Sequence, residues 1–195
     1  ISSLYIDQDK DSNYKYFQFV NSGVLHRSDI YGKLNGVNSS CSLSGLTLSK
    51  DKQHSATYIN TDHAKPYCTS SQNFKSILND MSSGVFNGRT VVQEDSQKTN
   101  SRQSNKNLLL SDKALMNSNP QLEIYADDVK CAHGSTTGAL DKEALFYMQS
   151  RGISKKNASS ILIRGFASEM INEIQHEGTK KYLLDKFDRW LKDYN

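Results

Sequence analysis

The feature that most limits what this chain can fold into is a change of period near residue 140. Before it, short candidate strands recur at 14–20, 30–34, 41–48, 56–61, 84–86, 89–93, 108–110 and 122–126. Asn21-Ser22-Gly23, Asn35-Gly36, Asn87-Gly88 and Asn117-Ser118-Asn119-Pro120 separate them as turns. Strand groups return at intervals of roughly 20 to 25 residues, the range of solenoid repeats. Isolated polar positions such as Asn21, Asn60 and Asn107 sit at strand ends, as in stacked coils. Asn87-Gly88 alone suggests a hairpin, and no strict repeat is visible, so a β-sandwich stays open beside the solenoid.

After residue 140 the spacing is helical. Asp141 is a good N-cap, and Gly152 is placed to end the helix that follows. Ser154 caps a second helix, in which Ala158, Ile161, Leu162, Gly165, Phe166, Met170, Ile171 and Ile174 keep one face. Gly178-Thr179 reads as the next break, and the last helix carries Tyr182, Leu183, Phe187, Trp190 and Leu191 on one side. These stripes must pack on the strand region or on a partner. The expected organisation is a β region over residues 1–139 and a small helical region over 140–195.

Composition excludes several classes. The net charge is +3 and the lysines are scattered, so no nucleic-acid stripe is present. No apolar run approaches the roughly 18 residues of a membrane span. Cys41, Cys68 and Cys131 are odd in number and far apart, which points to a reducing compartment and away from a disulfide framework. The start at Ile1-Ser2-Ser3-Leu4 reads as a cut through a longer protein. G-x-x-x-x-G-K-[ST], C-x-x-C, H-E-x-x-H and G-x-S-x-G are all missing from the sequence.

One stretch carries chemistry: Asp127-Asp128-Val129-Lys130-Cys131-Ala132-His133-Gly134, followed by three hydroxyl residues and Gly138. Asp127-Asp128 suits a corner. Beyond it Val129, Cys131 and His133 form one strand register, and the residues between Gly134 and Gly138 read as a loop. Cys131 and His133 are two apart, so on a strand they share a face. Thiol and imidazole together suit zinc, copper or iron, but two ligands are at most half of a site. The competing reading is a buried structural thiol, because free Cys is among the most buried residue types. His63 and Cys68 also lie near each other, five apart with Pro66 between, and need not converge. His26, His54 and His176 have no evident partner.

Several runs together resemble the SufB/SufD family of the SufBCD scaffold for iron–sulfur cluster assembly. They are Gly84-Val-Phe-Asn-Gly88, Gln97-Lys-Thr99 with Gln103 and Asn105, and Asn107-Leu-Leu-Leu-Ser111-Asp112. Pro120-Gln-Leu-Glu-Ile124, Ala126-Asp-Asp-Val-Lys-Cys-Ala-His-Gly134 and Leu145-Phe-Tyr147 leading to Ser150-Arg-Gly-Ile153 continue the set. Gly165-Phe-Ala167 and Glu169 complete it. The Cys-Ala-His-Gly form resembles the SufD side of the family. The likeness is dense from about His54 to Ile174.

The resemblance implies a mainly β fold, a right-handed parallel β-helix followed by a small C-terminal α-helical domain. It implies pairing with SufB through the β-helices and docking of the SufC ATPase on the C-terminal helices, for which Phe166, Met170, Phe187 and Trp190 are the candidate residues. Those four are therefore expected not to be all covered within the monomer. It implies a transient cluster at the SufB–SufD interface, to which His133 contributes, with Cys131 as the second candidate. No cluster is expected on the isolated chain, which would be a scaffold subunit and not an enzyme. Family members are about twice as long, so N-terminal helices and early coils are expected to be missing here. The implied location is the cytoplasm, or alternatively a plastid stroma. A homodimer is a further expectation for the isolated chain. The alternative function is a carbohydrate-binding or lyase-type β-helix, but the scattered tyrosines come with no separated acidic cluster.

Overall fold

A computed structural model describes residues 1–194. Ten strands come first: β1 (Ser2–Gln8), β2 (Asn13–Val20), β3 (Leu25–Leu34), β4 (Ser40–Ser49), β5 (His54–His63), β6 (Thr69–Leu78), β7 (Ser83–Val92), β8 (Asn100–Leu109), β9 (Leu115–Ile124) and β10 (Lys130–Gly138). Three helices follow: α1 (Lys142–Ser150), α2 (Lys155–Ile171) and α3 (Glu177–Tyr194).

Odd and even strands form two five-stranded sheets, ordered β1-β3-β5-β7-β9 and β10-β8-β6-β4-β2. Every pairing between them is parallel. The chain is therefore a β-solenoid of five two-strand coils, and the sandwich alternative falls. Ser28 pairs with Thr57 and Thr57 with Phe86, a step of 29 residues each time, so the repeat is longer than the sequence suggests.

The difference has a local cause. Asn87-Gly88 is no hairpin but lies in the middle of β7, and Asn117–Pro120 lies inside β9. Pro120 is tolerated because β9 is an edge strand, which needs no donor on its open side. The stretch from Gly134 to Gly138 is the continuation of β10, not a loop. β6 and most of β8 escape a reading by hydrophobic alternation because they are built from Ser, Thr, Asn and Gln.

Alternation sends one face of each strand into the lumen. In the early coils that lumen is apolar, formed by Ile6, Ile30, Leu34, Leu43, Ile59 and Phe74 with neighbours that include Cys41 and Cys68. In the later coils it is polar: Ser101, Gln103, Asn105 and Asn107 of β8 are all buried. The opposite face of the second sheet is apolar at one end only. There Leu46, Leu48, Ile77 and Leu108 share a core with Ile163, Ala167, Met170 and Ile171 of α2 and Leu183, Phe187, Trp190 and Leu191 of α3.

Lys75 sits at this junction, 3% exposed. Its Nζ donates to the Phe166 carbonyl at 3.1 Å, pairs with the Glu169 carboxylate and lies 4.5 Å from the Phe166 ring centroid. Lys75 holds the Glu169 carboxyl below the usual carboxylate range.

Helix ends follow their caps. Asp141 accepts from the N–H groups of Glu143 and Ala144, and Ser154 accepts from Asn157 N–H. Gly152, at φ +85°, turns the chain after α1. The break expected at Gly178-Thr179 falls earlier, between Ile171 and Glu177.

One coil corner repeats a left-handed residue: Asp11, Asn38, Tyr67 and Lys98 have φ of +58°, +61°, +63° and +62°. Each donates its N–H to the next coil, Tyr67 to Gln97 O at 2.9 Å. Asp and Asn suit this conformation; Tyr does not, at about 1–2 kcal/mol. Tyr67 is exposed, so its ring adds little packing. Tyr67→Gly is expected to raise the urea midpoint, by about 1 kcal/mol of stability.

Candidate functional site

The site is built from the last coil. After Asp127 and Asp128 turn the corner, with Asp128 paired to Lys98, the chain enters β10. β10 pairs only with β8, so it is the edge of its sheet as β9 is of the other. Cys131 lies beside Ser101 and His133 beside Gln103. Ser135, on the same face, approaches Ser118 of β9 at 2.7 Å, and Thr137 Oγ1 accepts from Asn107 Nδ2 at 3.2 Å. Cys131 and His133 thus stand on the lumen side of the open coil, as the two-residue spacing predicts.

Their environments differ. His133 is exposed and Cys131 half-buried. Burial raises the Cys131 thiol above its ordinary range, and a backbone N–H of Ser101 works against that shift. Among the described residues no group of three or more His, Cys, Asp or Glu side chains converges as a metal site. The pair has the chemistry of part of a coordination sphere for iron, which takes thiolate and imidazole, and among the described residues no third ligand stands beside it.

The other candidates separate. Cys68 is fully buried and its Sγ lies 3.2 Å from both Gly36 O and Ser39 Oγ, whereas the hydrogen-bond partner of His63 is Ser70. Cys41 is buried and its thiol is pushed up to about 11 by burial. Met170, Phe187 and Trp190 are buried in the chain's own core, and Phe166 is half-buried against it. Their sequence spacing is that of a packing stripe, because α2 and α3 cover the apolar end of the second sheet. α1, by contrast, buries none of its side chains.

Alternation-based reading misses the polar lumen behind the pair. Gln103 Nε2 donates to Gln72 Oε1 at 2.7 Å, and Gln72 Nε2 reaches Thr61 and Thr90 hydroxyls at 3.0 and 3.1 Å. Asn107 Nδ2 donates to Asn105 Oδ1 at 2.6 Å, which also accepts from Ser118 Oγ at 2.7 Å. The available signal was the alternation of Ser101, Gln103, Asn105 and Asn107, which by composition looks like a solvated face. Gly88 makes room for this network: a Cβ there would lie 2.0 Å from Gln103 Nε2.

Such a fold and edge define a β-solenoid protein with a thiol and an imidazole side by side on the edge strand of its last coil. Comparison with known sequences gives the family: the SufBD core domain of the SUF system for FeS cluster assembly matches residues 1–166. The chain belongs to the SufB/SufD family, on its SufD side. It is 37% identical over 173 residues to the iron–sulfur cluster assembly protein SufD of Escherichia coli, covering 89% of this chain and 41% of that protein. The SufD of Bacillus subtilis is 37% identical over 116 residues, 60% of this chain and 26% of that protein. A chloroplastic protein of Arabidopsis thaliana is 33% identical over 178 residues, 89% of this chain and 37% of its own length. The chain thus spans less than half the length of these relatives. No helix among the described residues is long and apolar enough to cross a membrane.

The lumen also holds His63, fully buried, with Nε2 2.7 Å from Ser70 Oγ and Nδ1 without a partner. Burial lowers its pKa to about 4. In the unfolded chain the imidazole takes its proton near the ordinary pH of about 6.5. The stability this neutral His contributes is therefore complete above about pH 6.5 and is lost as pH falls toward about 4. Thermal melting of the chain should decline more steeply over that window than melting of His63→Gln, by at most about 1.4 kcal/mol per pH unit.

Proposed function

We propose that this chain is a scaffold subunit of Suf iron–sulfur cluster assembly, not an enzyme, and that it presents His133, with Cys131 beside it, to a transient cluster shared with SufB. The observation that carries the reading is the position of the pair: an imidazole and a thiol on one face of an open edge strand, with no third ligand nearby among the described residues. A half-site at an unpaired edge is what a heteromeric site requires. The edges of β9 and β10 also leave backbone donors and acceptors free for a partner's strands. SufB would pair there, and in its absence a second copy of the chain would.

The two parts of the chain then serve two partners, residues 1–139 meeting SufB and residues 140–195 the SufC ATPase. Phe166, Met170, Phe187 and Trp190 support this docking from beneath by fixing α2 and α3 on the sheet. The contact itself falls to exposed side chains of the helices, Phe146 and Tyr147 of α1 foremost. A cytoplasmic or plastid setting agrees with bacterial and chloroplastic relatives. Membership of the SufB/SufD family favours this reading over a carbohydrate-binding solenoid.

His133 is the readier ligand because it is exposed, whereas burial keeps the Cys131 thiol protonated. In the assembled complex His133→Ala should abolish cluster absorbance with melting changed by no more than about 0.5 kcal/mol. Cys131→Ala should lower the yield less. A normal cluster yield with His133→Ala would end this reading. Replacing both Phe146 and Tyr147 with Glu should remove SufC capture at unchanged melting temperature, since α1 buries nothing; retained capture would move the docking surface elsewhere.

A further inference from the structure

Next to His133 in register the lumen holds a carbonyl oxygen that is buried and without a partner. Gln103 is 3% exposed, and its Oε1 makes no hydrogen bond. Its Nε2 donates to Gln72 Oε1 at 2.7 Å, and Gln72 Nε2 reaches the Thr61 and Thr90 hydroxyls. With Gln72 so oriented, a reversed Gln103 would set oxygen against oxygen. With its nitrogen committed to β6, Gln103 leaves its oxygen for the other side of β8, where β10 lies. A buried acceptor left unmade costs about 1–3 kcal/mol, so this one asks for an explanation.

The residue beside Gln103 in register on β10 is His133. The contacts of Ser135 and Thr137, at alternate positions of the same strand, put His133 on the lumen side with Gln103. We propose that Gln103 is a positioning residue for His133. When one imidazole nitrogen is given to iron, the other N–H turns to donate to Gln103 Oε1. The inference rests on His133 being an iron ligand, as proposed above. A ligating imidazole characteristically donates its second N–H to a carbonyl or carboxylate, which fixes the tautomer and ring orientation and raises the basicity of the ligating nitrogen. Gln103 supplies that acceptor from a rigid strand and adds no charge. Its hydrogen-bond chain reaches through Gln72 to the first sheet, and Gly88 leaves the space that Gln103 occupies.

Zinc(II), a diamagnetic probe, tests this on the chain with ¹⁵N-labelled histidine. On zinc addition His133 should show one ligating nitrogen and one N–H proton that exchanges slowly with water, because it is hydrogen-bonded inside the coil. Gln103→Met keeps the volume and removes the acceptor. It should lower zinc affinity by about ten- to hundred-fold and return that N–H to solvent-rate exchange. The wild-type exchange measurement stands even if Gln103→Met folds poorly. Solvent-rate exchange in the zinc-bound wild type, or unchanged affinity and exchange in Gln103→Met, would overturn the positioning role. His133→Ala separates the two claims. Undiminished zinc binding in that variant removes the cluster-site reading itself, whereas loss there with an unaffected Gln103→Met removes only the role of Gln103.

Discussion

Backbone pairing between successive coils is the constraint on which the rest of this structure depends. A two-strand coil cannot satisfy its own strand N–H and C=O groups, because within a coil the two strands belong to different sheets. Each coil is completed by the one above and the one below. Three consequences follow together. Side chains line up in straight ladders, such as Tyr16, Leu43, Gln72, Gln103 and His133. Corners repeat, including the left-handed position that Tyr67 occupies. The last coil, β9 and β10, carries an unmet edge, and that is where the thiol and imidazole stand.

The ladders also decide what fills the lumen. In the early coils they are apolar and contribute burial in the ordinary way. Toward the open end they change to hydroxyls and amides, most of which find partners within the lumen, on their own coil or the next. Ser70 bridges His63 and Ser101, and Gln72 bridges Thr61, Thr90 and Gln103. A polar lumen near an open edge keeps side chains in defined orientations without requiring a closed apolar core, a condition suited to presenting a ligand to another subunit.

The helices solve a different problem. The second sheet has an apolar outer end that would otherwise face water, and α2 and α3 cover it. Lys75 ties α2 to the sheet by binding the Phe166 carbonyl and the Glu169 carboxylate from beneath. α1, which follows β10 after three residues, takes no part in that core. It lies next in sequence to the edge strand that carries His133, with its aromatic side chains free for contact.

The helical region after residue 140 and the shared face of Cys131 and His133 were legible in the sequence, whereas the strand spacing left a solenoid and a sandwich open. Strand-length segments between turn residues cannot bury themselves singly, helical spacing sets in at a good N-cap, and a two-residue spacing on a strand allows only one face. Resemblance to the SufB/SufD family decided between solenoid and sandwich, for a parallel β-helix. What the sequence could not decide was which polar residues are inside. Ser101, Gln103, Asn105 and Asn107 have the composition of a solvated strand, and Asn87-Gly88 that of a turn. Their burial arises because a residue some 30 positions away supplies the hydrogen bond that water would otherwise supply. Likewise, the stripe of Met170, Phe187 and Trp190 reads equally as core or docking face until the sheet it covers is in place. Local spacing fixes a side chain's direction along its own element, whereas only the tertiary structure brings the partners that make a polar group stable inside or an apolar one available outside.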